Sequence, residues 1–190
     1  MMGHFTASQD LSLKKMGSRM LKVAKFDGET SRELRDDPSA TAQSVSLVAI
    51  IALSYGAGWS LFGYLVGDIS ILGLLAVTLE NFALGLGIAV FWSGTSFLIV
   101  RKLFRRTVSY MGLARPFFFS WSPGLLFIFM SAPIPAVSDA FRAVSSAWIV
   151  IANLFAVKNA VGISIQASMA TFIISAILLV FFGSFILSLI

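Results

Sequence analysis

Glu80 and Asn81, side by side within a long apolar run, are the residues with the best material for chemistry in this chain. A carboxylate at the centre of a bilayer costs about 3 kcal/mol, so such a group faces protein or water, or stays protonated. Two readings follow: a hydrogen bond to Tyr, Ser or Asn on neighbouring helices, or ion and proton handling. Asn153, inside another apolar run, poses a similar choice between joining helices by hydrogen bonding and contacting a ligand. No second acid and no clear cation accompany Glu80 in the apolar runs. General acid–base catalysis needs at least two groups placed together, so no enzyme is expected. One histidine, His4, and no cysteine leave no material for a zinc site, a histidine-based triad or a disulfide framework. No metal or cofactor is expected.

The elements that must carry these residues are membrane spans. Of 190 residues, 57% are hydrophobic and only 12% charged, against roughly 25% charged in soluble domains. Five apolar runs read as helices long enough to cross about 30 Å of hydrocarbon, at about 44–66, 71–100, 117–137, 140–157 and 164–190. The class expected is an all-α integral membrane protein with a segment over residues 1–42 ahead of the five-helix domain. The first span, preceded by many charges, reads as an uncleaved signal anchor. Gly56, Gly58, Gly63 and Gly67 lie toward its end, and the Gly63–Gly67 spacing suits close helix packing. Pro123 is expected to kink the third span, and Pro133 and Pro135 to end it. Ser138–Asp139 would cap the fourth, with Arg142 pairing to Asp139.

Charge sets the orientation. The net charge is +5, but the excess lies in a short loop between spans, where it determines topology rather than binding nucleic acid. Thirteen of the fourteen Lys and Arg lie on the side of the N-terminus. The positive-inside rule therefore puts the N-terminus in the cytoplasm and the C-terminus across the membrane. The loop cations Arg101, Lys102, Arg105, Arg106 and Arg115 are candidate contacts for anionic lipid or a partner. A helix over residues 11–24 places Leu13, Met16, Met20, Val23 and Ala24 on one face, with Lys15, Arg19, Lys22 and Lys25 opposite. It suits either an anionic leaflet or packing on the protein's own loops. Next, Phe26-Asp27-Gly28 breaks the helix, Thr30 or Ser31 could cap a second one, and Asp37-Pro38-Ser39 reads as the entry to the first span.

Three stretches carry a family resemblance. Residues Phe26-Asp27-Gly28-Glu29-Thr30-Ser31-Arg32-Glu33-Leu34-Arg35-Asp36-Asp37-Pro38-Ser39-Ala40-Thr41 form the first: an aromatic residue, a short acidic helix and an Asp-Pro-Ser entry. The second is Tyr110-Met111-Gly112-Leu113-Ala114 followed by Ser122-Pro123-Gly124. The third is Trp148 followed by Ala156-Val157-Lys158-Asn159-Ala160. Together they resemble the Yip1 family of membrane proteins, particularly its bacterial and archaeal members. Arg115-Pro116-Phe117-Phe118-Phe119 departs from that pattern, which has a plainer run before the proline.

The resemblance implies a non-enzymatic scaffold or adaptor in a prokaryotic plasma membrane, organising lipid or recruiting a partner at the cytoplasmic face. Eukaryotic members act in vesicle trafficking and associate with Rab GTPases. Two other readings stand beside it. One is an accessory subunit of a larger complex, or a homo-oligomer, packed through Phe-rich and Gly-spaced spans. The other is a small transporter or channel centred on Glu80, Asn81 and Asn153.

Overall fold

Short polar side chains open several of the helices, because each caps backbone N–H groups that have no partner inside the helix. In the computed structural model, which describes residues 12–187 and side chains through 182, Ser12 caps α1 (Leu13–Ala24) and Asp27 caps α2 (Gly28–Asp36). The residue that accepts from Thr30 N, at 2.9 Å, is Asp27, so neither Thr30 nor Ser31 is the cap. Asp37 caps the 3-10 turn Pro38–Ala40 by accepting from Ser39 N at 3.0 Å, with proline in the first turn as expected. There follow α3 (Thr41–Leu65), α4 (Ile71–Lys102), α5 (Tyr110–Phe119), a 3-10 helix (Ser122–Ser131), α6 (Pro135–Val161) and α7 (Ile165–Leu187). His4 and the last residues of the fifth expected span lie outside the described residues.

The described chain is helical, and α3, α4, α6 and α7 are long and apolar enough to cross a membrane. The bent pair of α5 and the 3-10 helix, turned by 43°, supplies a fifth span if counted as one. At about 1.5 and 2.0 Å per residue the pair measures roughly 35 Å along its two axes, enough for a hydrocarbon core. The break sits at Ser120–Trp121, and Pro123 stands in the first turn of the 3-10 helix. The third element also starts earlier than expected. Its helix opens at Tyr110, so Arg115 and Pro116 are inside α5 and not in a loop. The fourth begins at Pro135, whose missing N–H costs nothing in a first turn, so Ser138 and Asp139 do not cap it. Arg142 does pair with Asp139, at 2.7 Å.

α3 is the central helix, packed against α4 and the 3-10 helix; α6 lines the other side of the 3-10 helix, and α7 rests on α4 and α6. Two glycines permit the closest approaches. A Cβ on Gly56 would lie 2.6 Å from the Thr78 carbonyl oxygen, and one on Gly58 would lie 2.1 Å from that of Phe127. The expected Gly63–Gly67 pair does no such packing: Gly63 meets only the Ile69 side chain, and Gly67 turns the chain at φ +86°. One core cluster, with Leu47, Ile51, Phe119, Phe127 and Met130, includes Val23 of α1 and Leu34 of α2. The two N-terminal helices are therefore part of the bundle's interior packing.

Candidate functional site

Arg19 holds the N-terminal helices to the spans. Counting from Met16, position 19 is one helical turn on and position 23 a second, so Arg19 shares a face with Met16, Met20 and Val23. That face packs inward, and Arg19 is only 3% exposed. Its Nη2 lies 2.6 Å from Glu33 Oε1 and 2.5 Å from Asp37 Oδ2, while Nη1 donates to Gln43 Oε1 at 3.0 Å. One guanidinium thus links α1, α2, the 3-10 turn and α3. Burial by itself would lower the Arg19 pKa, but its hydrogen bonds to Glu33 and Asp37 and their charges outweigh it and raise it. At Asp37 burial works to raise the pKa, yet the Ser39 hydroxyl, Arg19 and the Ser39 N–H hold the carboxyl below its ordinary value. Arg19 is thus corrected from a surface contact to a buried clamp.

Arg115 is likewise inside, at 5% exposure. Its Nε donates to Met111 O at 3.0 Å, and its Nη1 has no hydrogen-bond partner among the described residues. The cause is that α5 is buried from Gly112 to Phe119, beneath α2 and against α3. The other predicted contact residues, Lys15, Lys22, Arg101, Lys102, Arg105 and Arg106, are exposed. Arg101 lies over the Phe97 ring at 5.8 Å. Arg101 and Lys102, expected in the loop, lie in the last turn of α4, and among the described residues neither they nor Arg105 and Arg106 make an ion pair.

Further contacts fix where this cap sits. Arg35 donates to Ala160 O at 2.9 Å near the end of α6, and Arg35 and Asp36 line a small polar recess with Thr107 and Ser109. The loop after α4 and the N-terminal helices therefore occupy one end of the bundle. α1 lies down its flank: Trp148 Nε1 donates to Ala24 O at 2.9 Å and Ser122 Oγ to Met20 O at 3.2 Å. The outward side of α1 carries Leu13 and Leu21, 78% and 65% exposed, among Lys14, Lys15, Lys22 and Lys25. Between α1 and α2, Phe26 adopts φ +66°, costly for a bulky residue, with its ring held 5.1 Å from that of Phe155.

The polar candidates among the spans do not converge. Glu80 is exposed on the outer surface of α4, with no hydrogen bond or ion pair among the described residues. Asn81 is half-buried and donates to Val77 O of its own helix at 2.9 Å. Asn153 is buried on α6 and donates to Ser120 Oγ at 3.1 Å, which in turn donates to Phe117 O at 2.6 Å. It therefore ties α6 to the bend between α5 and the 3-10 helix, just ahead of Pro123. Asn153 also faces a cavity of about 360 Å³ lined by α3, α4, α6, the bent pair and Phe172 of α7. Sequence reasoning missed the cavity, as well as Glu33, Asp37 and Gln43 as partners of Arg19. The periodicity of residues 16, 19, 20 and 23 held the signal for Arg19. Nothing local marks the cavity, whose walls come from six elements.

Neither protein-family models nor searches of curated proteins and solved structures yielded a match for this chain.

Proposed function

We propose that this chain is a non-enzymatic membrane scaffold or adaptor of the Yip1 type, inserted in a prokaryotic plasma membrane with its N-terminal cap in the cytoplasm. The observation that carries the reading is the built cap: Arg19 locks α1 and α2 onto the spans, while Lys22 and the 101–106 cations stand exposed around them. A rigid basic platform at one end of an apolar bundle suits anionic headgroups and an adaptor's docking face. The Asp37-Pro38-Ser39 entry and the bend ahead of Pro123, both in stretches resembling that family, support the affiliation.

Each basic side chain near an anionic surface contributes about 1 kcal/mol. Replacing Arg105 and Arg106 by Gln is then expected to weaken anionic-lipid association by about 2 kcal/mol. The measurement is the anionic fraction of the lipid retained by protein extracted from vesicles of mixed phosphatidylcholine and phosphatidylglycerol. An unchanged fraction would defeat the platform reading.

A second reading, an accessory subunit or a homo-oligomer, rests on α4. Glu80 points outward about 14 Å from the first residue of that helix, and only 11% of its apolar window is buried, against 39% for α3. A carboxyl in that position calls for a donor on a neighbouring helix. Glu80→Gln should leave the monomer folded while changing its migration on native gels after mild solubilisation. Migration as a small monomer before and after the change rejects this reading.

A further inference from the structure

The cavity beneath α4 and α6 opens sideways. Ile51, Phe117 and Phe127 at its back are buried, whereas Leu84 of α4 and Ser146 of α6, also on its wall, are exposed on the outside of the bundle. Those two residues mark a mouth between helices that stand apart on this side, and both belong to elements long and apolar enough to span a membrane. With those helices in a bilayer, the mouth faces lipid hydrocarbon. The walls are almost entirely apolar and aromatic, with Tyr55, Trp92 and Trp121 prominent. The polar group on the floor, Asn153, already spends an amide hydrogen on Ser120 Oγ.

We propose that this cavity is a binding site for one hydrocarbon chain of a bilayer lipid, which enters laterally between α4 and α6. Three physical points carry it. Water is a poor occupant, because a stable internal water needs two to four polar partners and these walls supply few. Leaving the space empty forfeits dispersion contacts along the whole lining. Finally, lipid tails are as apolar as leucine, so no hydrophobic force pulls α4 and α6 together to close the gap. A chain from the adjoining leaflet restores the lost contacts at little cost in hydration. The volume lies near the lower end of the roughly 300–1,000 Å³ of known ligand pockets, which suits a single chain. The site is independent of the basic cap and of the scaffold reading.

The test uses the full-length protein in phosphatidylcholine–phosphatidylglycerol vesicles, where some phospholipid carries a diazirine midway along one chain. After illumination, peptide mapping is expected to find adducts on the inward residues Trp92, Trp121 and Phe127 as well as on outward Leu79 and Ile151. Adducts confined to the outward residues overturn the proposal. Labelling of the inward residues by a diazirine fatty acid, but not by the phospholipid, overturns the assignment to a bilayer lipid. Ser146→Trp, at an exposed position on the mouth, should bring the inward adducts to background while sparing those on Leu79 and Ile151. Inward labelling that persists in that variant overturns the lateral route. Should the variant fail to fold, labelling of the unmodified chain still decides.

Discussion

Arg19 and Arg105 are the same residue type on the same side of the bundle, and burial separates their roles. Arg19 satisfies two carboxylates and an amide; Arg105 is exposed, with no ion pair among the described residues. Arg19→Met keeps much of the apolar stem but strands Asp37 and Gln43. The cap is expected to lose about 1–3 kcal/mol, read as faster amide hydrogen exchange in α1 and α2. Arg19→Lys should not restore protection, because one ammonium cannot reproduce the planar fork that reaches Glu33, Asp37 and Gln43 together. Arg105→Gln should change that exchange by less than about 0.5 kcal/mol. Gly58→Ala tests packing instead: the new methyl would meet the Phe127 backbone oxygen. Overpacking of this kind costs about 1–3 kcal/mol, visible as a lower midpoint of thermal unfolding in detergent. The role of Arg19 was partly legible in the sequence, since its spacing from Met16 and Val23 is that of a shared face. A positive charge on an otherwise apolar face argues for the opposite face until its counter-charges are known. Those lie 14 and 18 residues further on, a separation that periodicity does not reach.

At the scale of elements, the cap made by α1 and α2 is a pH-sensitive unit. Asp37 and Asp27 both have pKa values below their ordinary ones. At Asp37 the Ser39 and Arg19 contacts overcome burial; at Asp27 hydrogen bonds from the Thr30 side chain and backbone dominate. A carboxylate whose pKa falls on folding contributes stability that is complete above its unfolded value, near pH 4, and is lost as pH drops through the lower folded value. The cap should therefore hold from neutral pH down to about 4 and loosen below it. Trp148, which donates to Ala24 of α1, offers a fluorescence reading of that release. Emission unchanged between neutrality and strong acid would contradict it. The bend between α5 and the 3-10 helix shapes one wall of the cavity. Pro123 marked its neighbourhood in the sequence, but the 3-10 geometry and the Asn153–Ser120 staple depend on α6 lying alongside.

For the whole molecule, the number and order of the apolar helices define the topology. The sequence contains no cysteine, so single cysteines report accessibility without background. On the proposed orientation, Thr107→Cys should react with a membrane-impermeant thiol reagent from the cytoplasmic side and Asp68→Cys from the other. Both positions are exposed. Equal labelling of the two from one side would refute an odd number of spans between Asp68 and Thr107, that is, the crossing by α4.

Composition and hydropathy alone pointed to a helical chain of five apolar elements, of which the structure has four, or five with the bent pair counted as one. Those properties sum over long windows and need no knowledge of neighbours. Boundaries marked by caps and prolines were legible to within a few residues, apart from the third span, where an interior Arg-Pro pair looked like loop, and the start of the fourth, where Pro135 opens the helix it was expected to precede. Only the tertiary structure decided which polar residues face inward. Glu80 turned out to lie on the outer surface and Arg19 and Arg115 inside, since in a bundle apolar on nearly every face the inward direction is set by which helices pack together. The lateral cavity belongs wholly to that level. It exists because α4 and α6 stand apart around a bent span, a relation that no single stretch of sequence records.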